Sequence, residues 1–288
     1  MIDLIIPTLS QGLLWSLLAL GVYITFRVLD FADMTVEGSF PLGAAICVYF
    51  LIRDHHPLLA LLAAGLLGGV AGIVTGLLHT KLRIPSLLAG ILSMIALYSV
   101  NLRIMGKANV SLLGKETAFT YMETLGLDYA QSVFIVGLLA TVVIGTLIYW
   151  FFGTEIGAAI RATGFNPQMI RAQGIDTNVM LLLGLFLSNA LTAMAGAFIG
   201  MNNGFFDVGM GVGTIVIGLA SVIIGEVLFG TRSFKNSLVS VILGSIVYRF
   251  VIAIVLQMGM PPNDLKLFTS VLVVIALALP MMRDKVQR

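Results

Sequence analysis

The chain has 288 residues, of which 59% are hydrophobic and 10% are charged, and its formal net charge is +2. The mean hydropathy of +1.05 excludes a soluble globular protein, because the surface of such a chain would need far more charge. The basic residues are scattered and form no stripe for nucleic acid, and the histidines show no metal-ligand spacing. The composition predicts an all-α polytopic membrane protein without nucleic-acid or metal ligands.

Apolar runs recur along the whole chain, and most are long enough to cross a hydrocarbon layer of ~30 Å. The first run follows an N-terminus without the basic region of a secretory signal, so we expect a retained span. The run 40–52 is too short to cross alone, so we expect a helix broken between it and the stretch before it. About eight to ten membrane segments follow, at 4–26, 40–52, 57–79, 86–100, 131–152, 179–200, 213–230, 238–258 and 266–281.

Lysine and arginine are concentrated in alternate loops, and this bias predicts the orientation of the chain. One set of loops contains Lys81, Arg83, Arg161, Arg171, Arg232, Lys235 and the basic C-terminal tail. The opposite set contains seven of the 14 acidic residues. We therefore expect 153–178 and the C-terminus in the cytoplasm, and the N-terminus and the 101–130 loop outside.

Two polar stretches, 27–38 and 202–213, precede apolar runs and resemble each other. The first should be cytoplasmic, yet it has three acids and one base, so we expect it to dip into the membrane. The second also has an aromatic residue, an aspartate and then glycines. Because the two stretches are expected on opposite sides of the membrane, they predict an inverted repeat of broken helices around a substrate pathway. The side chains predicted to line or gate that pathway are Asp33, Thr35, Glu37, Ser39 and Asp207.

Glu226 and Arg249 lie inside predicted spans, where an unpaired charge costs at least ~2.5 kcal/mol. We expect the two side chains to pair across adjacent antiparallel helices. The alternative is that Arg249 lines a water-filled route.

The predicted span 57–79 is rich in glycine at four-residue spacing, which lets helix backbones approach closely. Packing against another helix is therefore expected at Gly65, Gly68, Gly69, Gly72 and Gly76.

The sequence has no HExxH, GxSxG or Walker A motif. Gly114-Lys115 is not part of a Walker A motif, because Glu116 follows it and the upstream glycine is missing. We therefore expect no enzyme and no cofactor bound by this chain, and any nucleotide energy must come from another polypeptide. A transporter, a channel and a structural membrane protein remain. An ion-coupled secondary transporter would use membrane-embedded acids such as Asp33 or Glu226.

The segment 153–178 is unusually polar for so apolar a chain. Asn166-Pro167 is typical of a helix start and Gly174 of a helix end, so a helix of about two turns is predicted at 167–173. So short a helix is stable only when it docks, and its mixture of polar and apolar side chains suits a protein partner. The alternative is a solvated connector between two spans.

At these residues the chain resembles the permease subunits of ATP-binding-cassette importers of the branched-chain amino-acid and ribose type. The family pattern is present as Gly157, Arg161-Ala162, Gly164, Asn166 and Gly174-Ile175. The stretches 33–39 and 211–226 also resemble family motifs, so the likeness covers nearly the whole chain. The sequence departs from the pattern, where alanines are common, at Pro167, Gln168, Met169 and Arg171.

The resemblance implies a single transmembrane permease domain over 1–288, in a bacterial inner membrane, with 153–178 as its cytoplasmic coupling loop. It implies a separate cytoplasmic ATPase that uses ATP and Mg, a second permease copy that is identical or related, and an extracytoplasmic binding protein or lipoprotein. The implied substrate is an amino acid or similar small polar solute, and the chain is most similar to a branch assigned to tryptophan or tyrosine. The implied ATPase-coupling residues are Arg161, Gly164, Asn166, Pro167, Gln168, Met169, Ile170, Arg171 and Gly174.

Overall fold

A computed structural model describes residues 2–123, 126–261, 264–265 and 267–274, with side chains from residue 5 onward. The fold is all-α and polytopic, with one small ribbon of two strands. The helices are α1 (Ile2–Tyr23), α2 (Val36–Ile52), α3 (Pro57–Thr80), α4 (Ser86–Met105), α5 (Thr120–Glu123), α6 (Tyr129–Gly153), α7 (Glu155–Phe165), α8 (Pro167–Ala172), α9 (Thr177–Asn203), α10 (Thr214–Phe229) and α11 (Phe234–Gln257). The strands are β1 (Asn109–Ser111) and β2 (Phe205–Asp207).

Each predicted span coincides with a helix in the described residues. Six helices are long and apolar enough to cross a membrane, and α2 and α10 are shorter apolar helices. Within the last predicted span, 266–281, residues 267–274 are helical, and position 266 and positions after 274 lie outside the described residues. The all-α polytopic prediction is therefore confirmed, and six of the nine predicted segments are helices long enough to span a membrane.

The predicted break after the first span is present. A π-helical turn, Ile24–Val28, follows α1, and residues 29–35 are not helical until α2 begins. Asp30 in this break has a left-handed backbone with φ of 52°. The break therefore ends earlier than predicted, because α2 begins at Val36 and not at 40.

The predicted glycine packing is confirmed, and it fixes α3 against α9 at the centre of the molecule. A Cβ at position 72 would overlap the backbone carbonyl of Leu185, and a Cβ at position 68 would lie 2.7 Å from the carbonyl oxygen of Asn189. Only glycine allows two helix backbones to approach this closely. The contact brings the middle of α9 beside α3.

We predict that Gly72→Val lowers the free energy of unfolding by ~2 kcal/mol or more, since the new side chain must push α3 away from α9. The matched control is Gly145→Val in α6, where an added Cβ lies 3.7 Å from the nearest atom, Cδ1 of Ile242. Thermal unfolding in mild detergent measures both variants. Equal stability of the two would show that the α3–α9 contact is not tight.

Loops predicted to share one side of the membrane do meet. At the outer end, defined here by β1, β2 and the Lys115–Asp54 ion pair of 2.7 Å, the strands pair antiparallel with Val110 opposite Phe206. At the inner end, defined by α7 and α8, Gly164 packs against the backbone of Val28 and Leu29. Large apolar side chains on α3, α4 and α6 are exposed, as expected for surfaces that face lipid.

Candidate functional site

A buried polar network joins the break at 29–35 to α9. Oδ1 of Asp33 accepts a hydrogen bond of 2.9 Å from the backbone N–H of Thr35, and Oδ2 accepts one of 2.7 Å from Nδ2 of Asn189. The Oγ of Ser39 donates to Oδ1 of Asn189 over 2.6 Å. Asp33, Ser39 and Asn189 are fully buried, so this network lies inside the helix bundle and not on an open pathway in the present conformation.

A second set of hydroxyl groups surrounds the start of α2. The Oγ1 atoms of Thr35 and Thr75 are 2.7 Å apart, and Oγ1 of Thr75 donates to Oγ of Ser93 over 2.7 Å. Nδ2 of Asn101 donates to the backbone carbonyl of Gly38 over 3.1 Å. Polar groups of α2, α3, α4 and α9 therefore converge on the first turn of α2, which is where a substrate pathway was predicted.

The two polar stretches of the predicted repeat are in contact. Oε1 of Glu37, in the first turn of α2, accepts a hydrogen bond of 3.0 Å from the backbone N–H of Gly213, just before α10. A Cβ at Gly211 would overlap the backbone carbonyl of Glu37. From this contact α2 runs to the outer end at Asp54, whereas α10 runs to the inner end at Glu226. The negative carboxylate lies at the positive N-terminus of α10, which stabilises it there.

Asp207 lies in the two-stranded ribbon and not in the buried network of Asp33 and Asn189. It lies in β2, where Oδ2 accepts from Nδ2 of Asn109 over 3.2 Å and Oδ1 accepts from the backbone N–H of Gly209 over 2.8 Å. These bonds hold the outer ribbon and the turn after it. The structure therefore brings Asp33, Thr35 and Ser39 together with Asn189 and sets the Asp207 carboxylate apart from them.

The short helix predicted at 167–173 is confirmed as α8, together with both of its end signals. Oδ1 of Asn166 accepts a hydrogen bond of 3.0 Å from the backbone N–H of Met169, and Pro167 occupies the first helical position. Gly174 follows the helix with φ of 84°, a left-handed conformation that glycine adopts without strain.

One face of α8 is anchored and the other is free. Ile170 is buried, whereas Gln168 is exposed and Met169 is 46% exposed. Arg171 is exposed overall, but its Nε donates to Oγ1 of Thr177 at the start of α9 over 2.6 Å. The bond makes Arg171 an anchor of α8 as well as a surface charge.

Two of the family-pattern residues are turned toward the protein. The guanidinium of Arg161 lies over the Phe234 ring with 5.0 Å to its centroid, and its Nε is buried without a partner in the described residues. Gly164 lies on the break, where an added Cβ would be 2.8 Å from the Cα of Leu29. These positions link α7 to α11 and to the end of α1, and they do not form an outward docking surface.

The predicted pair of Glu226 with Arg249 is wrong. Oε2 of Glu226 forms an ion pair with Nη2 of Arg27, and the Arg249 guanidinium instead stacks on the Trp15 ring with 3.9 Å to its centroid. Glu226 lies in the last turn of α10, whereas Arg249 lies about four turns into the antiparallel α11, which separates them by ~18 Å along the helix axis. No side chain spans that distance.

Sequence reasoning missed Phe165, Asn189 and Arg27. Asn189 is a lone amide within an apolar span, and an intramembrane polar residue is by itself a signal of function or helix contact. Phe165 is an aromatic residue in the polar segment 153–178, where it is the last residue of α7 and is 92% exposed. Arg27 carried no such signal, because a base at the inner end of a span is ordinary for topology.

The chain is similar to known transport proteins along almost its whole length. Residues 4–278 match the family described as branched-chain amino acid transport system / permease component. The chain is 40% identical over 274 residues to a tyrosine transport system permease protein of Clostridioides difficile, and the match covers 95% of this chain and 90% of that protein. No solved structure matches.

Two further relatives are more distant. An uncharacterized protein of Rickettsia prowazekii is 32% identical over 281 residues, covering 96% of this chain and 97% of the relative. An autoinducer 2 import system permease protein of Yersinia pseudotuberculosis is 26% identical over 256 residues, covering 88% of this chain and 70% of the relative.

Proposed function

Because the chain belongs to the family of permease components of branched-chain amino acid transport systems, we propose that it carries an amino acid through the bacterial inner membrane, driven by a separate cytoplasmic ATPase. The α7–α8 corner supports this proposal best. It presents Phe165, Gln168 and Met169 to solvent while Gly164 contacts the backbone of the break. A side-chain surface that is exposed on one face and rigidly joined to the break on the other suits a coupling element.

The proposed route of coupling has three steps. The ATPase engages the exposed face of α8 and the Phe165 ring. Movement of α8 shifts α7, and Gly164 transmits this shift to Val28 and Leu29 because their backbones are in direct contact. The break then moves relative to α9, which opens or closes the network of Asp33 and Asn189.

The partners follow from this role. Two permease copies, here proposed to be identical, face two ATPases that bind ATP with Mg, and an extracytoplasmic binding protein or lipoprotein delivers the substrate. The exposed apolar faces of α3, α4 and α6 contact lipid. The substrate is proposed to be an amino acid, and the name of the 40% identical relative favours tyrosine or a similar aromatic amino acid.

An ion-coupled secondary transporter is the second candidate, and the buried carboxylate of Asp33 is the observation that favours it. The energy source separates the two. Uptake into proteoliposomes that depends on enclosed ATP and on the ATPase, and that persists with an ionophore, supports the importer. Uptake by the permease alone that collapses with an ionophore would overturn the importer.

We predict that Asn166→Ala and Gly174→Val both lower ATP-driven uptake and the amount of ATPase that co-purifies from mildly solubilised membranes. The first removes a cap worth ~1 kcal/mol, and the second places a β-branched residue at a positive φ, so both loosen α8. Membrane insertion and permease dimerisation should persist, since the spans are unchanged. Normal co-purification and uptake in both variants would show that 167–173 is only a connector.

A further inference from the structure

A cavity of about 310 Å³ lies between α10, α11 and the helix at 267–274. Its wall includes the guanidinium-bearing Arg249, the hydroxyl residues Tyr248, Thr269 and Ser270, and several aliphatic side chains. The hydroxyl groups of Tyr248 and Thr269 are 2.9 Å apart and join α11 to the last helix. Such a volume lies within the range of small-molecule sites, and its mostly apolar lining with a few polar groups suits a ligand with a large apolar body and one polar end.

Arg249 lacks hydrogen-bond acceptors at one edge of its guanidinium. Nε and Nη2 are buried, and neither has a partner among the residues that the structure describes. Stacking on Trp15 satisfies the face of the guanidinium but not its N–H donors. A charge at this depth is costly unless an acceptor meets those donors. The described wall of the cavity contains no acidic side chain that could accept from these donors.

We propose that this cavity binds the carboxylate of a substrate with an apolar or aromatic body, with Arg249 as its carboxylate anchor. Guanidinium and carboxylate match as two parallel N–H···O bonds, which is the strongest pairing available to arginine.

Ligand binding here would be connected to the break. The Trp15 ring, on which the Arg249 guanidinium stacks, also packs on the buried Phe40 ring with 5.5 Å between centroids. Phe40 lies in α2 one residue after Ser39, which bonds to Asn189. Binding of a ligand to Arg249 is therefore expected to affect the network of Asp33 and Asn189, which the proposed coupling movement also changes. This site is a deepening of the proposed function, because its ligand is the transported substrate.

Trp15 provides a direct measurement of binding. The chain has two tryptophans, so Trp150→Phe in an exposed position leaves Trp15 as the single indole reporter. The full-length permease alone is placed in phosphatidylcholine nanodiscs and excited at the red edge of indole absorption. We expect L-tyrosine and 3-phenylpropionate to change Trp15 emission with saturation. Tyramine, which is L-tyrosine without its carboxylate, should leave it unchanged.

Variants at Arg249 test the anchor. Arg249→Gln should weaken the response to 3-phenylpropionate about tenfold or more, and Arg249→Lys should weaken it less while retaining the charge. Arg232→Gln, the same change at an exposed inner-end arginine, is the control and should leave affinity unchanged. Thermal unfolding checks that each variant is folded. If Arg249→Gln unfolds, the folded Arg249→Lys variant decides, and unchanged affinity in it would overturn the proposal.

Two other outcomes would contradict the proposal. Tyramine matching L-tyrosine would show that the carboxylate is not recognised. A change of Trp15 emission on adding phosphatidylglycerol to the nanodisc, removed by Arg249→Gln and insensitive to carboxylates, would identify a lipid phosphate as the occupant. Because the permease is tested without its ATPase, failure here with intact ATP-driven uptake removes only this site. Binding without co-purifying ATPase would instead remove the coupling proposal.

Discussion

Phe165→Asp is expected to reduce the affinity of the permease for its ATPase about 30-fold or more without unfolding the chain. The ring is 92% exposed at the corner between α7 and α8, so its removal breaks no internal contact of consequence. Exposed aromatic residues at the centre of a docking surface contribute a large share of binding free energy. A charge in place of the ring also forces desolvation of a carboxylate at the interface.

The matched control for this prediction is Leu113→Asp. Leu113 is 91% exposed at the outer end, so the variant introduces the same charge at equal exposure on the opposite side of the molecule. Quantitative co-purification of the ATPase and ATP-driven uptake measure both variants. Equal loss of the ATPase in the two variants would mean that the effect is not local to α8, and unchanged association in Phe165→Asp would remove Phe165 from the docking surface.

Arg171 is a poorer probe of docking than Phe165. Its Nε bond to Thr177 ties α8 to α9, so Arg171→Glu removes an internal anchor at the same time as it reverses a surface charge. A defect in that variant would therefore combine the loosening of α8 with altered docking.

The second large effect is expected from substitutions of the buried pair formed by the Asp33 carboxylate and the Asn189 amide. Asn189→Asp places a second carboxylate at a site where Nδ2 now donates to Oδ2 of Asp33 over 2.7 Å. Two carboxyl groups this close cannot both be ionised in a buried site, so one has to take up a proton, and the loss of the amide donor is expected to cost ~1–3 kcal/mol. Asp33→Asn alone should also be harmful, since two amide N–H groups would then face each other.

The double variant Asp33→Asn with Asn189→Asp restores the pairing in the reverse sense. The new amide at position 33 donates to the new carboxylate at position 189, and its carbonyl oxygen still accepts from the Thr35 N–H. The new carboxylate still accepts from Ser39. We expect the double variant to recover most of the melting temperature and uptake lost by either single variant, apart from the 3.0 Å bond of Nδ2 to the Leu185 carbonyl. A double variant as damaged as the worse single variant would show that the two side chains are not coupled.

The sequence by itself determined the features that depend on local chemistry and on length. Apolar runs located the membrane helices, because a span needs a minimum of apolar residues wherever it packs. Asn166, Pro167 and Gly174 predicted α8, because caps act within one turn of the backbone. The glycines of α3 predicted close packing, since small residues at four-residue spacing form one face.

Only the tertiary structure decided which side chains meet across the bundle. Residues on helices that are adjacent in sequence can lie at different heights along the helix axes. For this reason Glu226 does not pair with Arg249 of the next helix but with Arg27, which lies in the π-helical turn after α1. The partner of Asp33, Asn189, is more than half the chain away in sequence. Hydrogen bonds of this range depend on how α2, α3 and α9 pack, and no local pattern of residues specifies that packing.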